Sequence, residues 1–289
     1  MGAVPGRNRP LSYQQLEPRF ALAGNVTVSV QNGVLQLNGD AADNRLEAAF
    51  DSSAGQIRIR GIVSSGSQTM LTVNGRRVAE TTIAGATSIN ASLGRGSDGL
   101  IVTGDSARQV PLRLQSLSVN LGRGSQNDLQ VLLTTSINGL SVESGVGDDT
   151  IILTTCIFAG VTNVVTGDGV DSFHARGCAF TSISFDAGAG DDGFVCEPYT
   201  ENTEGCFVER DVTLTMGDGN DGVRIDKTTI LGTLACSLGR NNDTFRMNRL
   251  TSARVYQVNG NADTDTLCLA AGVVTPAGFQ GFEILSPLP

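Results

Sequence analysis

From about residue 90 onward, apolar side chains return at every second position in short runs, and each run begins just after a glycine-containing turn. Leu100 and Val102, Ile151 and Leu153, Phe173 and Ala175, Phe194 and Cys196, Val223 and Ile225, and Phe245 and Met247 form six such pairs. Each pair stands two and four residues after an aspartate. Period-two alternation puts both members on one face of a strand and predicts that this face is buried. A second set, three residues before the next glycine, carries the same signature: Ala91, Val119, Val142, Val164, Phe185, Leu214 and Cys236. Each unit therefore reads as glycine turn, strand, corner, strand, with no room for a helix.

The units repeat. The first glycine of each turn falls at 94, 122, 145, 167, 188, 217, 239 and 260, giving intervals of 28, 23, 22, 21, 29, 22 and 21 residues. The two long intervals read as the same unit carrying an inserted loop. At about 3.3 Å per residue, such a unit makes a closed coil of roughly 70 Å. One coil cannot bury its own apolar face, but a stack of coils can. The pattern predicts an all-β fold, a right-handed parallel β-helix of about 22-residue coils over 94–289. Residues 25–93 contain VTVSV, VLQLNG, QIRIRG and TMLTVNG and read as an N-terminal β cap and first coils. In this region Gly39 opens a looser GDAAD turn that ends at Asp43.

Composition agrees with strands and turns: 36 Gly, no Trp, and only 17% charged residues, too few for a disordered chain. The formal charge of −9 carries no basic stripe, which removes the electrostatic support for nucleic-acid binding. No apolar run is long enough to span a membrane.

The turn chemistry admits three readings. GDGNDG at 217–222 satisfies a dinucleotide-binding G-x-G-x-x-G, but that motif needs a helix directly after it. Here VRIDKTTILG follows, alternating and β-branched, and GRGSDG at 94–99 and GAGDDG at 188–193 match equally well. The nucleotide reading is set aside. The turns also resemble the tail of the nonapeptide of hemolysin-type (RTX) calcium-binding β-rolls, G-x-G-x-D-x-U. Gly217, Gly219, Asp221 and Val223 fit it, as do the turns at 145, 167 and 188. The resemblance covers the turn alone, once per 22 residues rather than once per nine. It implies a column of oxygen ligands for Ca2+ on one edge of the stack: Asp98, Asp149, Asp171, Asp192, Asp221 and Asp243, with Asp148, Asp168, Asp191 and Asp218 beside it. Stacked carboxylates about 4.8 Å apart repel, by roughly 1 kcal/mol per pair if well hydrated, and a cation relieves this. The third reading is a turn without metal, in which each aspartate accepts a backbone N–H. Arg95, Arg123, Arg240 and Asn241 interrupt the acidic column and favour this last reading.

Of the six cysteines, Cys156, Cys178 and Cys206 open similar stretches and are expected at one corner of three successive coils. A neighbouring pair there, or Cys206 with Cys196 across the inserted EPYTENTEG loop, are the candidate disulfides. Cys196, Cys236 and Cys268 read as small core residues. Catalysis has weaker support. The outward positions seven after each glycine give His174, Arg224 and Arg246, with Asp226 nearby and only Val195 on the coil between. An enzyme predicts an outward groove where polar side chains from several coils converge, whereas a scaffold predicts scattered ones.

The segment LSYQQLEPRFALA (11–23) resembles the LEPR-type N-terminal tract of large secreted and cell-surface proteins of planctomycete bacteria, with Leu16, Glu17, Pro18 and Arg19 as its core. It departs from that tract in ending Phe20-Ala21-Leu22-Ala23. The resemblance makes residues 1–24 a targeting segment and implies export to the cell envelope or exterior. The sequence reading is therefore a structural or adhesive envelope protein, more a scaffold than an enzyme, acting as a monomer or within a larger surface assembly. Its expected partners are cell-surface glycan or other envelope proteins. The alternative is a glycan-binding or glycan-cleaving lyase or hydrolase.

Overall fold

In the computed structural model, residues 24–64, 66–248, 252–261, 263–270 and 278–287 are described, and the LEPR-like tract lies outside them. Every regular element among the described residues is a strand. Two long sheets hold nearly all of them, one of sixteen strands and one of twelve. From Ser88 on, the chain alternates between the sheets. Ser88–Ser92 lies in the first and Gly99–Thr103 in the second, then Ser116–Asn120 in the first and Gln126–Leu132 in the second. Each strand pairs in parallel with its counterpart one unit away: Ala91 opposite Val119, Leu100 opposite Leu129, Phe173 opposite Phe194, Val223 opposite Phe245.

Register preserves the inward set. In the second sheet strands pair unit on unit without a register shift. In the first, the shifts at Phe158/Val161 and Ile230/Thr233 fall at the corner before the inward set, so the same alternate positions face inward in every repeat. All the paired residues named above, and the seven that precede the glycines, are buried. Side chains from the two sheets meet between them. Phe173 and Phe194 of the second sheet stack at 5.0 Å, and Phe185 of the first contacts both at 5.6 Å. Phe158 stacks on Phe180 at 5.7 Å at another corner.

The N-terminal region differs in sense. Asn25–Gln31 and Val34–Asn38 pair antiparallel, as do Arg45–Asp51 with Gln56–Gly61 and the latter with Glu80–Ala84. Val34–Asn38 and Arg45–Asp51 then accept Ser88–Ser92 and Gly99–Thr103 as parallel neighbours. Hairpins thus occupy the end of each long sheet, where exposed parallel edges would invite pairing with other chains.

The glycine column has a steric cause. A Cβ on Gly217 would stand 1.6 Å from the carbonyl oxygen of Gly188, and one on Gly219 would stand 1.9 Å from that of Gly190. At these two positions the backbone of the preceding turn approaches too closely for a side chain, and both glycines hold positive φ, 107° and 155°. The strand Gly222–Asp226 follows directly, which agrees with setting aside the nucleotide reading.

Candidate functional site

The six predicted aspartates come together as one buried column. Each is at most 3% exposed, and each uses Oδ1 to accept the backbone N–H of its counterpart one repeat earlier. Asn44 N–H donates to Asp98, Asn127 to Asp149, Asp149 to Asp171, Asp171 to Asp192, Asp192 to Asp221, and Asp221 to Asp243, all at 2.7–2.9 Å. The series also passes through residues that the motif did not select. Asp98 N–H donates to Asn127 Oδ1 at 2.9 Å, Asp243 N–H to Asp265 Oδ1 at 2.9 Å, and Asp265 N–H to Glu283 Oε2 at 2.8 Å. Asn44, Asn127 and Asp265 were missed because their turns are one residue longer, placing them five rather than four after Gly39, Gly122 and Gly260. In the first turn the column residue is thus Asn44, not Asp43.

A second, outer line runs in the opposite sense. Exposed Asp43 accepts from Ser97 N–H at 2.8 Å, Asp148 from Val170 N–H at 2.9 Å, and Asp191 from Asn220 N–H at 2.7 Å. Asn220 and Asn242 continue it, accepting from Asn242 and Thr264 N–H at 3.3 and 3.0 Å. Inner carboxylates tie each turn to the repeat before, and outer groups tie it to the repeat after. Hydrogen bonds of this kind satisfy turn amides that the sheets leave without partners.

Burial dominates the electrostatics of the inner column. It raises Asp98, Asp192 and Asp243 to about 7, and Asp171 and Asp221 to about 6. Asp149 and Asp265 are raised for the same reason. The neighbouring charges of Asp148, Asp191, Asp218 and Asp263 push in the same direction, while the accepted amides oppose it. The Oδ2 atoms of Asp98, Asp171, Asp192, Asp221, Asp243 and Asp265 are buried without a hydrogen-bond partner, whereas Asp149 Oδ2 accepts from Ser144. A calcium ion wants six to eight oxygens. In the column Oδ1 is already engaged and Oδ2 is sealed from solvent. Among the described residues no group of three or more His, Cys, Asp or Glu side chains is disposed to hold a metal ion.

The cysteines are all buried and unbridged. Cys156 and Cys178 stack on adjacent repeats, Cys156 N–H lying 3.4 Å from Cys178 Sγ, and Cys206 follows on the next, beside Phe207, which pairs with Ala179.

The outward face of the second sheet carries the other cluster. His174, Val195, Arg224 and Arg246 share one line through the register of four strands. The group that gathers them was not anticipated: Glu197, two residues beyond Val195 and opposite Arg176. Its Oε1 lies 2.6 Å from His174 Nε2 and 3.0 Å from Arg176 Nε, and its Oε2 receives Arg224 Nη2. Burial and the two guanidiniums lower His174 to about 4, so a neutral imidazole N–H donates to the carboxylate at neutral pH. Sequence spacing could not reveal Glu197, because two of its three partners, His174 and Arg224, sit diagonally from it on two other strands. The only advance signal was the 29-residue interval, since the inserted loop leaves the strand at this residue.

That loop covers a cavity of about 440 Å³ lined by Arg176, Glu197, Tyr199, Glu201, Arg224 and Asp226. An adjoining cavity of about 390 Å³ shares Arg224 and is lined by Asn220, Asn242, Thr244 and Arg246. Polar groups from four strands line these two cavities, the convergence expected of an enzyme rather than of a scaffold. No family model, curated protein or solved structure matches this chain in comparisons with known proteins. Among the described residues no helix is long and apolar enough to cross a membrane, which leaves membrane-crossing strands untouched.

Proposed function

We propose that this chain is an extracytoplasmic structural and adhesive protein of the cell envelope, built as a right-handed parallel β-helix. The observation that carries the reading is the continuous series of hydrogen bonds from Asn44 to Glu283, in which every turn caps its neighbour. The return of the chain from one largely parallel sheet to the other in every repeat supports the solenoid. The resemblance of residues 11–23 to the LEPR-type tract supports export. In this reading the column works as an internal tie whose buried carboxyls hold their protons to higher pH than free aspartates do, and the outer surface supplies adhesion.

Protease added to intact source cells tests the location. The reading expects the protein to be degraded before lysis; protection until lysis overturns it. A second reading of the column, calcium held by the aspartates, is kept alive by the six partnerless Oδ2 atoms. Chelator separates the two, because metal loading requires Tm to fall on chelation and to recover when calcium is restored. The convergence at Glu197 likewise favours comparing adhesion with glycan cleavage, which end-group analysis of an incubated oligosaccharide distinguishes.

A further inference from the structure

We propose that the groove running from Tyr199 to Arg246 binds a neutral oligosaccharide laid across successive repeats. This deepens the adhesive reading and rests on it. Four features carry the inference. First, the surface is extended: two cavities, each within the size range of ligand pockets, share Arg224 as a lining residue and follow one another along the direction in which repeats stack. A ligand built of repeating units fits such a trough better than a compact one.

Second, charge is balanced within the first cavity. Arg176 and Arg224 share it with Glu197, Glu201 and Asp226, and Glu197 is bound to both guanidiniums, while Arg246 lines the second cavity with Asp221. In the first cavity a phosphate, sulfate or uronate would have to displace Glu197 from both, and a cationic ligand would meet Arg176 and Arg224. A neutral ligand meets neither penalty.

Third, the lining offers hydrogen-bonding donors and acceptors together. Arg224 and Asp226 bring a guanidinium and a carboxylate to the first cavity. Asn220, Asn242 and Thr244 add amide and hydroxyl groups along the second cavity. Groups that donate and accept at once, which is what sugar hydroxyls do, satisfy such a set.

Fourth, Tyr199 stands at the entrance, 56% exposed, on a loop tied at both ends. Gly205 N–H donates to Lys227 carbonyl at 2.9 Å, and Lys227 Nζ donates to Glu201 carbonyl at 2.7 Å. At the other end, the Tyr199 Cβ packs where a Gly177 side chain would stand, 3.1 Å from its Cβ position, and Gly177 holds φ at 56°. A tethered aromatic ring beside hydrogen-bonding groups offers the apolar face of a sugar ring a platform at small entropic cost.

Isothermal titration of the full chain with neutral hexasaccharides (β-1,4-glucan, β-1,4-mannan and α-1,4-glucan) tests this, with a hexauronate and a sulfated hexasaccharide as charged probes. The expected result is saturable binding of at least one neutral hexasaccharide. Tyr199→Ala should weaken it at least about tenfold, or about 1.4 kcal/mol. Glu197→Gln should weaken it as well. Tyr199→Ala, on an exposed loop, should leave Tm unchanged, so that it remains informative if Glu197→Gln unfolds the protein. No binding of any neutral probe at about 10 mM, binding indifferent to Tyr199→Ala, or preference for the charged probes would overturn the proposal. None of these failures touches the structural reading, provided the circular dichroism and melting of the unmodified chain show a folded β protein.

Discussion

At the residue scale the decisive group is a buried aspartate that accepts one amide and carries a second, unpartnered oxygen. Asn44 and Asn127 occupy the same column and show what a neutral occupant does. Asn127 Nδ2 donates to Asp149 Oδ1 at 2.8 Å, and Asn44 Nδ2 donates to Asp98 Oδ1 at 3.1 Å, while each backbone N–H uses the same acceptor. Asp192→Asn should therefore keep the bond from Asp171 N–H, gain a donor towards Asp221, and lose a charge that burial disfavours. Its urea midpoint at about pH 8 is expected to equal or exceed that of the unmodified chain. Asp192→Ala leaves Asp171 N–H buried and unpaired and is expected to cost about 1–3 kcal/mol. If the asparagine variant is as damaged as the alanine one, the column needs its negative charge, and the metal reading gains. The aspartates were legible in the sequence as a repeating position. Their burial and their hydrogen bonding to the preceding repeat were not, because both depend on how one turn lies on the next.

The element that repeats is the glycine turn with its following strand. The inward pairs from Leu100 to Met247 were legible because alternation and register agree along the second sheet, which carries them. Where a turn gains one residue, as before Asn127, the spacing rule misplaces the column by one, since the structure conserves the stacking contact and not the count. The second glycine is also less strictly required than the motif suggests: Asn241 replaces it at a φ of 75°, a conformation asparagine tolerates. Gly217 has no such freedom. Gly217→Ala would drive a Cβ into the Gly188 carbonyl at 1.6 Å and is expected to cost more than about 2 kcal/mol by chemical denaturation. Gly55→Ala, in a hairpin turn with open space around the new Cβ and a φ of 66°, is expected to cost about 1 kcal/mol from backbone strain alone. Equal effects at the two sites would show that close turn stacking does not constrain the fold.

Across the whole molecule the column makes stability a function of pH. The unfolded chain holds its aspartates near 3.9, whereas the folded chain holds five of them at about 6 to 7. Between these values the folded state binds more protons, so stability is greatest at the acidic end and falls as pH rises through 6 to 7. His174 opposes this. Lowered to about 4, it binds fewer protons when folded, and its share of stability is lost as pH drops below about 6.5. One imidazole acts against a column of carboxyls, so the column sets the sign. Calcium loading predicts the reverse, because protons compete with the metal for the same oxygens. The most direct test is therefore Tm at about pH 5 and about pH 8, each with and without chelator. The proton-tied column predicts a higher Tm at the lower pH and no response to chelator at either. A lower Tm at the acidic pH, or a fall on chelation that added calcium reverses, would contradict it.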